Sequence, residues 1–163
     1  MALGATSNGL TVNSGLLDVQ GYSLTVGTLG GAGGTILSNS AGSAPTLTVN
    51  MASGSSTYGG SLANGTGTLA LIKAGGGTLV LSGSNTYSGG TNVAGGILAA
   101  TTTASLPKFS IPGTLAVQSG TVLDLSAGGT GQFQATDINN LRYPDFGEFQ
   151  VGPDSTMGTL GMV

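Results

Sequence analysis

The sequence contains no cysteine and no histidine. Without cysteine there are no disulfides and no thiolates to hold a metal. Without histidine, no triad or dyad built on an imidazole can form, and zinc loses its commonest nitrogen ligand. Cations are scarce: three lysines and arginines stand against six acids in 163 residues. So few positive charges cannot neutralise a phosphate backbone, which excludes nucleic acid as a partner. No apolar run approaches the length of a membrane-spanning helix, and no series of roughly ten-residue strands marks a membrane barrel. Direct membrane insertion by this segment is therefore not expected. Met1–Leu10 lacks the basic start and apolar centre of a secretory signal.

Glycine is abundant, with 32 residues, while charged residues make up only 6%. Flexible low-complexity chains share those features, but they are poor in the apolar residues that reach 39% here. Glycine does not recur at every third position and proline numbers 5, so a collagen helix is excluded. Charge is unevenly spread. Residues 1–136 balance Lys73 and Lys108 against Asp18 and Asp124, whereas 137–163 carry Asp137, Asp145, Glu148 and Asp154 against Arg142.

Short apolar runs recur every six to eight residues in the N-terminal part: Leu10–Val12, Leu16–Val19, Leu24–Val26, Leu29, then Ile36-Leu37. Turns such as Asn13-Ser14-Gly15 and Gln20-Gly21 separate them. That spacing is tighter than sandwiches or barrels show and suits a solenoid with three sides per coil. Leu47–Val49 opens a further unit. Met51–Gly60 reads as a polar loop whose Tyr58-Gly59-Gly60 echoes Tyr87-Ser88-Gly89-Gly90.

Gly75–Leu98 is the most ordered stretch. Runs at Thr78–Ser82, Thr91–Val93 and Ile97–Ala99 are separated by Gly83-Ser84-Asn85, Gly89-Gly90 and Gly95-Gly96. Leu79 and Leu81 alternate with polar or outward positions at a period of two. The expected core is Leu69, Leu71, Leu79, Leu81, Val93 and Ile97. The expected turn residues are Asn85, Gly89, Gly90, Gly95 and Gly96. Asn39, Asn50, Asn64 and Asn92 are read as comparable turn residues, with side-chain ladders between coils as their role.

The words Gly77-Thr78-Leu79-Val80-Leu81-Ser82-Gly83, Asn85-Thr86-Tyr87-Ser88-Gly89-Gly90-Thr91 and Gly95-Gly96-Ile97-Leu98 resemble the passenger-associated repeat of bacterial autotransporters, also called the autotransporter-associated β-strand repeat. Leu71-Ile72-Lys73-Ala74-Gly75 extends the resemblance with a Leu-x-Lys-x-Gly step. The resemblance covers about one coil, and outside residues 60–100 it is looser. It implies a right-handed parallel β-helix, export to the cell surface and no catalytic residues. It also implies that signal and anchor lie outside this chain.

After the central stretch, Thr101–Pro112 reads as an excursion, because Pro107 and Pro112 cannot donate to a ladder. Strands resume at Leu115–Val117 and Val122–Leu125. Residues 131–163 are non-repetitive, with Asp137 as the expected N-cap of a helical turn. Phe133, Tyr143, Phe146 and Phe149 lie there. They are candidates for a cap over the solenoid end or for anchors of an interface.

The expected fold is all-β: a right-handed parallel β-helix of roughly seven coils at 20–25 residues each. At about 4.8 Å per coil the rod would be on the order of 35 Å long. Residues 1–130 supply the coils and 131–163 the cap or docking segment. Asp18 and Asp124 should face outward, and an acid–base pair between them across coils stays open at this stage. No catalytic residue, cofactor or metal is assigned. Gly30–Thr35 lacks the Asp of a calcium nonapeptide and the spacing of a dinucleotide loop, and Asn64-Gly65-Thr66 is a formal glycosylation sequon. The leading reading is a non-enzymatic extracellular stalk or adhesin segment. Its alternative is a filament subunit stacked head to tail, and a polysaccharide-acting enzyme is disfavoured. Candidate partners are the chain itself, end to end or laterally, and glycans or proteins of a host or cell surface.

Overall fold

The computed structural model describes residues 8–141. It is a solenoid of parallel strands with almost no helix. Each coil has three sides, visited in a fixed order. The first coil is β1 (Gly9–Thr11), β2 (Leu16–Asp18) and β3 (Leu24–Val26). The second is β4 (Thr28–Gly30), β5 (Thr35–Leu37) and β6 (Thr46–Asn50), and the third is β7 (Ser55–Tyr58), β8 (Ser61–Leu62) and β9 (Ala70–Ala74). The fourth has β10 (Thr78–Leu81) and β11 (Thr91–Val93), and the fifth has β12 (Ile97–Ala100) and β13 (Leu115–Val117). β14 (Val122–Leu125) opens a sixth.

The third side shows the stacking most plainly. Its five strands run in the order β13-β11-β9-β6-β3, all parallel. Leu24, Leu47, Leu71, Thr91 and Leu115 share one column, so successive coils take 23, 24, 20 and 24 residues. On the first side β7, β10, β12 and β14 form a four-stranded ladder. β1 and β4 continue it through the Gly31–Tyr58 bridge. The second side pairs β2, β5 and β8.

About five turns, rather than seven, are present. Six rungs at about 4.8 Å give a rod roughly 24 Å long. The estimate of seven divided the whole chain into coils, but the last described strand ends at Leu125 and the chain then leaves the ladder. Met51–Gly60 is not wholly a loop either. Ser55–Tyr58 is a strand paired with Thr78–Leu81, so Tyr58 lies beside Leu81 and is not the counterpart of Tyr87. The excursion is shorter than expected: Ser105 and Leu106 remain buried in the fifth coil, and the chain swings out only from Pro107 to Gly113.

The core is a single cluster along the axis. Leu69, Leu71, Leu79, Leu81 and Val93 are buried in it. Ile97 is half-buried and Leu98 takes the inward place. Thr78 pairs with Ile97 and Leu79 with Leu98, so the outward row of β10 continues as Ile97 and the inward row as Leu98. Beyond β14, α1 (Ala135–Asn140) turns its Ile138 into the same cluster with Phe133 and Leu141. Gln134 is the N-cap of α1. Asp137 sits three residues further on, where its carboxylate accepts from the Gln134 backbone N–H at 2.9 Å.

Candidate functional site

Polar side chains placed inside the rod distinguish the fourth coil and its neighbours. Between β10 and β11 the second side has no strand, only Gly83–Ser88. Asn85 fills the gap. Its Oδ1 accepts from the Leu62 N–H of the coil before at 2.7 Å, and its Nδ2 donates to the Ser105 carbonyl of the coil after at 2.7 Å. Its own N–H donates to Ala104 O at 2.9 Å. The carboxamide thus stands in for a peptide group and carries the ladder across the break. Asn85 is buried, which corrects the expectation that asparagine points outward.

The other asparagines form no ladder with it. Asn92 lies on β11 and Asn50 ends β6, so neither is a turn residue. Asn64 closes its own corner: Oδ1 accepts from Leu69 N–H at 3.0 Å and Ser88 N–H at 3.1 Å, and Nδ2 donates to Ser88 Oγ at 2.7 Å. The amide of the sequon is therefore already engaged.

Tyr87 and Thr91 form a second internal contact. Both are buried, with their hydroxyls 2.6 Å apart. The Gly89-Gly90 corner between them turns the chain, with Gly90 at φ +88°. Burial pushes the Tyr87 phenol up to about 12. Tyr58, also buried, is pushed up to about 12 for the same reason. Of the four expected turn glycines, Gly90 and Gly96 take positive φ and Gly89 and Gly95 do not.

Lys73 was expected beside a turn. It lies instead at the end of the inward row Leu69-x-Leu71-x-Lys73 and is wholly buried. Its ammonium donates to the carbonyls of Ala74 at 2.8 Å, Gly75 at 2.9 Å and Gly95 at 2.9 Å. The first two belong to the third coil and the last to the fourth, so one cation ties two corners together. Three N–H donors meet three carbonyls and no carboxylate is required. Burial disfavours the charged form and lowers its pKa.

These groups bridge coils and leave no chemistry facing solvent. The two outward carboxylates of the rod cannot cooperate, because Asp18 is on β2 at one end and Asp124 on β14 at the other. The Asn39 and Gln20 backbone N–H groups hold the Asp18 carboxyl below its usual value. Among the described residues no three potential metal ligands come together. Phe133 is corrected as an interface anchor: it is wholly buried, edge-on to Phe109 with ring centroids 5.0 Å apart. Tyr143, Phe146 and Phe149 lie outside the described residues.

The stretch holding Lys73, Asn85, Tyr87 and Thr91 is the stretch matched by a family model, that of the passenger-associated-transport-repeat, over residues 71–100. Residues 71–100 are a passenger-associated-transport-repeat. No curated protein and no solved structure matched the chain. The passenger repeat runs from Leu71 on β9 to Ala100 on β12, a little more than one coil. It therefore contains both ends of the Lys73 bridge and the middle of the Asn85 bridge. It is a structural repeat of autotransporter passengers in a β-helical fold, not an enzyme family. It implies an extracellular or surface location. No helix among the described residues is long and apolar enough to cross a membrane.

Proposed function

We propose that this chain is a non-catalytic stalk segment of an autotransporter passenger, a stiff spacer that holds other parts of the passenger away from the bacterial cell. One observation carries the reading: the passenger repeat sits in the middle of a continuous ladder, joined to the coils on both sides. Each peptide ladder and the shared core resist bending, because a bend must open hydrogen bonds on one side of a packed rod. The outward rows of the first side support the same role. They are built of small or uncharged residues such as Thr28, Ser55, Thr57, Thr78 and Val80, with no cluster of acids or bases to recognise a ligand.

The test is to place the chain between a secretory signal and an autotransporter barrel in a bacterial host. The chain should reach the surface of intact cells, react with external antibody and resist added protease. Retention inside the cell, or rapid degradation at the surface, would contradict the reading. Cells displaying it should adhere to glycan- or protein-coated surfaces no better than cells displaying an unrelated passenger. Stronger adhesion would move the assignment from stalk to adhesin.

A further inference from the structure

The two ends of the rod differ. At the C-terminal end Leu115, Val117, Leu123 and Leu125 are buried, and Phe133, Ile138 and Leu141 complete the cluster beyond β14. At the N-terminal end β1, β2 and β3 each have a partner strand on one side only among the described residues. Leu10, Leu17 and Val19 are half-buried there, and Leu16 and Tyr22 are 62% and 66% exposed. Leu17, Val19, Tyr22 and Leu24 line an apolar recess of about 400 Å³ at this end.

The backbone of the first coil is arranged for pairing. The Val12 and Val19 N–H groups donate to Gly30 O at 2.9 Å and Leu37 O at 2.8 Å in the second coil. Peptide groups alternate in direction along a strand, so those of Thr11 and Asp18 point away from the second coil. An occupant of this end must therefore bring strand edges and an apolar cross-section together. The C-terminal end of a second copy is filled by its own residues 126–141, so it does not qualify. The first coil of a second copy does.

We infer that two copies of this chain pair head to head through their first coils, across a two-fold axis, with the facing strands antiparallel. The same surface serves both copies, and the contact closes at two. The coil from Asn8 to Gly27 offers 20 residues. That reaches the lower end of the roughly 20–30 residues a side of a stable interface. The pairing extends the inter-coil ladder of the fold and does not depend on the stalk reading.

The experiment is sedimentation equilibrium of the full chain from micromolar to sub-millimolar concentration. It is repeated on Leu16→Lys and on Leu16→Lys/Tyr22→Lys, which set like charges against each other across the axis. Both side chains are exposed, so folding should persist, and far-UV circular dichroism with thermal unfolding checks that it does. The inference expects a dimer for the parent, a weakened one for the single variant and a monomer for the folded double variant. A parent that stays monomeric at the highest concentration overturns it. So does a double variant that remains dimeric, or a parent mass that grows steadily past two.

Discussion

Replacing Asn85 by Asp changes one atom and removes one of two bonds. The Leu62 N–H keeps an acceptor, but the Ser105 carbonyl, 2.7 Å from the former Nδ2, now faces a carboxylate oxygen. At neutral pH the substitution loses a buried hydrogen bond and leaves an uncompensated charge in the core. Such a change costs about 3–5 kcal/mol, a large share of the ~5–15 kcal/mol that holds a domain together. The variant carries its own control. Burial and the facing carbonyl raise the carboxyl pKa in the fold above the ~3.9 of the unfolded chain. A protonated carboxyl can donate to Ser105 O and restore the bridge. A raised folded pKa means that this stability is present below about pH 3.9 and is lost as pH rises through the folded value. Urea unfolding followed by circular dichroism, at several pH values, should show Asn85→Asp far below the parent at pH 7 and approaching it in acid. Asn85→Ala, which orphans both the Leu62 N–H and the Ser105 carbonyl, should be destabilised without that recovery. An Asn85→Asp variant as stable as the parent at neutral pH, or equally weak in acid, would refute the bridging role.

Lys73→Met keeps the length of the side chain but leaves the Ala74, Gly75 and Gly95 carbonyls without their donor. A loss of about 1–3 kcal/mol is expected in urea unfolding, and an unchanged midpoint would contradict the two-corner bridge. Its charge also has a pH signature. Because burial lowers the pKa of Lys73, the parent should gain stability relative to Lys73→Met as pH rises from the folded value toward 10.5, and the difference should level off above it. Tyr58 and Tyr87 act in the opposite sense: their folded values near 12 lie above the model value of 10.0, so their contribution is intact below pH 10.0 and is lost as pH climbs toward 12. Alkaline unfolding followed by tyrosinate absorbance should move to higher pH in Tyr87→Phe, and an identical profile would show the phenol to be unimportant. Gly96 has φ +64°, and a β-carbon there would overlap the Gly77 carbonyl oxygen of the preceding coil. Gly96→Val should lower the thermal midpoint with a loss above about 1 kcal/mol, whereas an unchanged midpoint would show that the corner can relax.

Alternation made several strands readable. Leu47 and Val49, or Leu79 and Leu81, sit two apart between polar residues, and both pairs are inward on β6 and β10. Ser55–Tyr58 was not readable, because the half-buried residue of that strand before Tyr58 is a serine. Ser56 satisfies its hydroxyl with Leu29 O at 2.8 Å, a bond that only the neighbouring coil reveals. Ile97–Ala100 is apolar at both parities, so alternation could not choose between Ile97 and Leu98. Pairing with β10 chooses. Lys73 follows Leu69 and Leu71 at the right spacing to face inward, but an ammonium in a core is expected only once three carbonyls are known to meet there. Those carbonyls come from corners about twenty residues apart in the chain. Asn85 was read as a turn residue because it stands among Gly and Ser. Its role appears only when the strandless side of the fourth coil is seen between Leu62 and Ser105.

The bridges, the stalk and the open first coil all rest on coils stacked in the stated register. Because the chain has no cysteine, introduced pairs can test this without background. Thr48 and Ile72 are register partners on adjacent coils, and Asn92 is the partner of Ile72 one coil further on. A disulfide needs Cα atoms about 4.4–6.8 Å apart, close to one rung spacing of about 4.8 Å. Under mild oxidation Thr48→Cys/Ile72→Cys should form an intramolecular bond, detected by mass spectrometry and gel mobility. Thr48→Cys/Asn92→Cys, two rungs apart, should remain reduced within the chain. Ready closure of the second pair with failure of the first would contradict the register, and with it the solenoid.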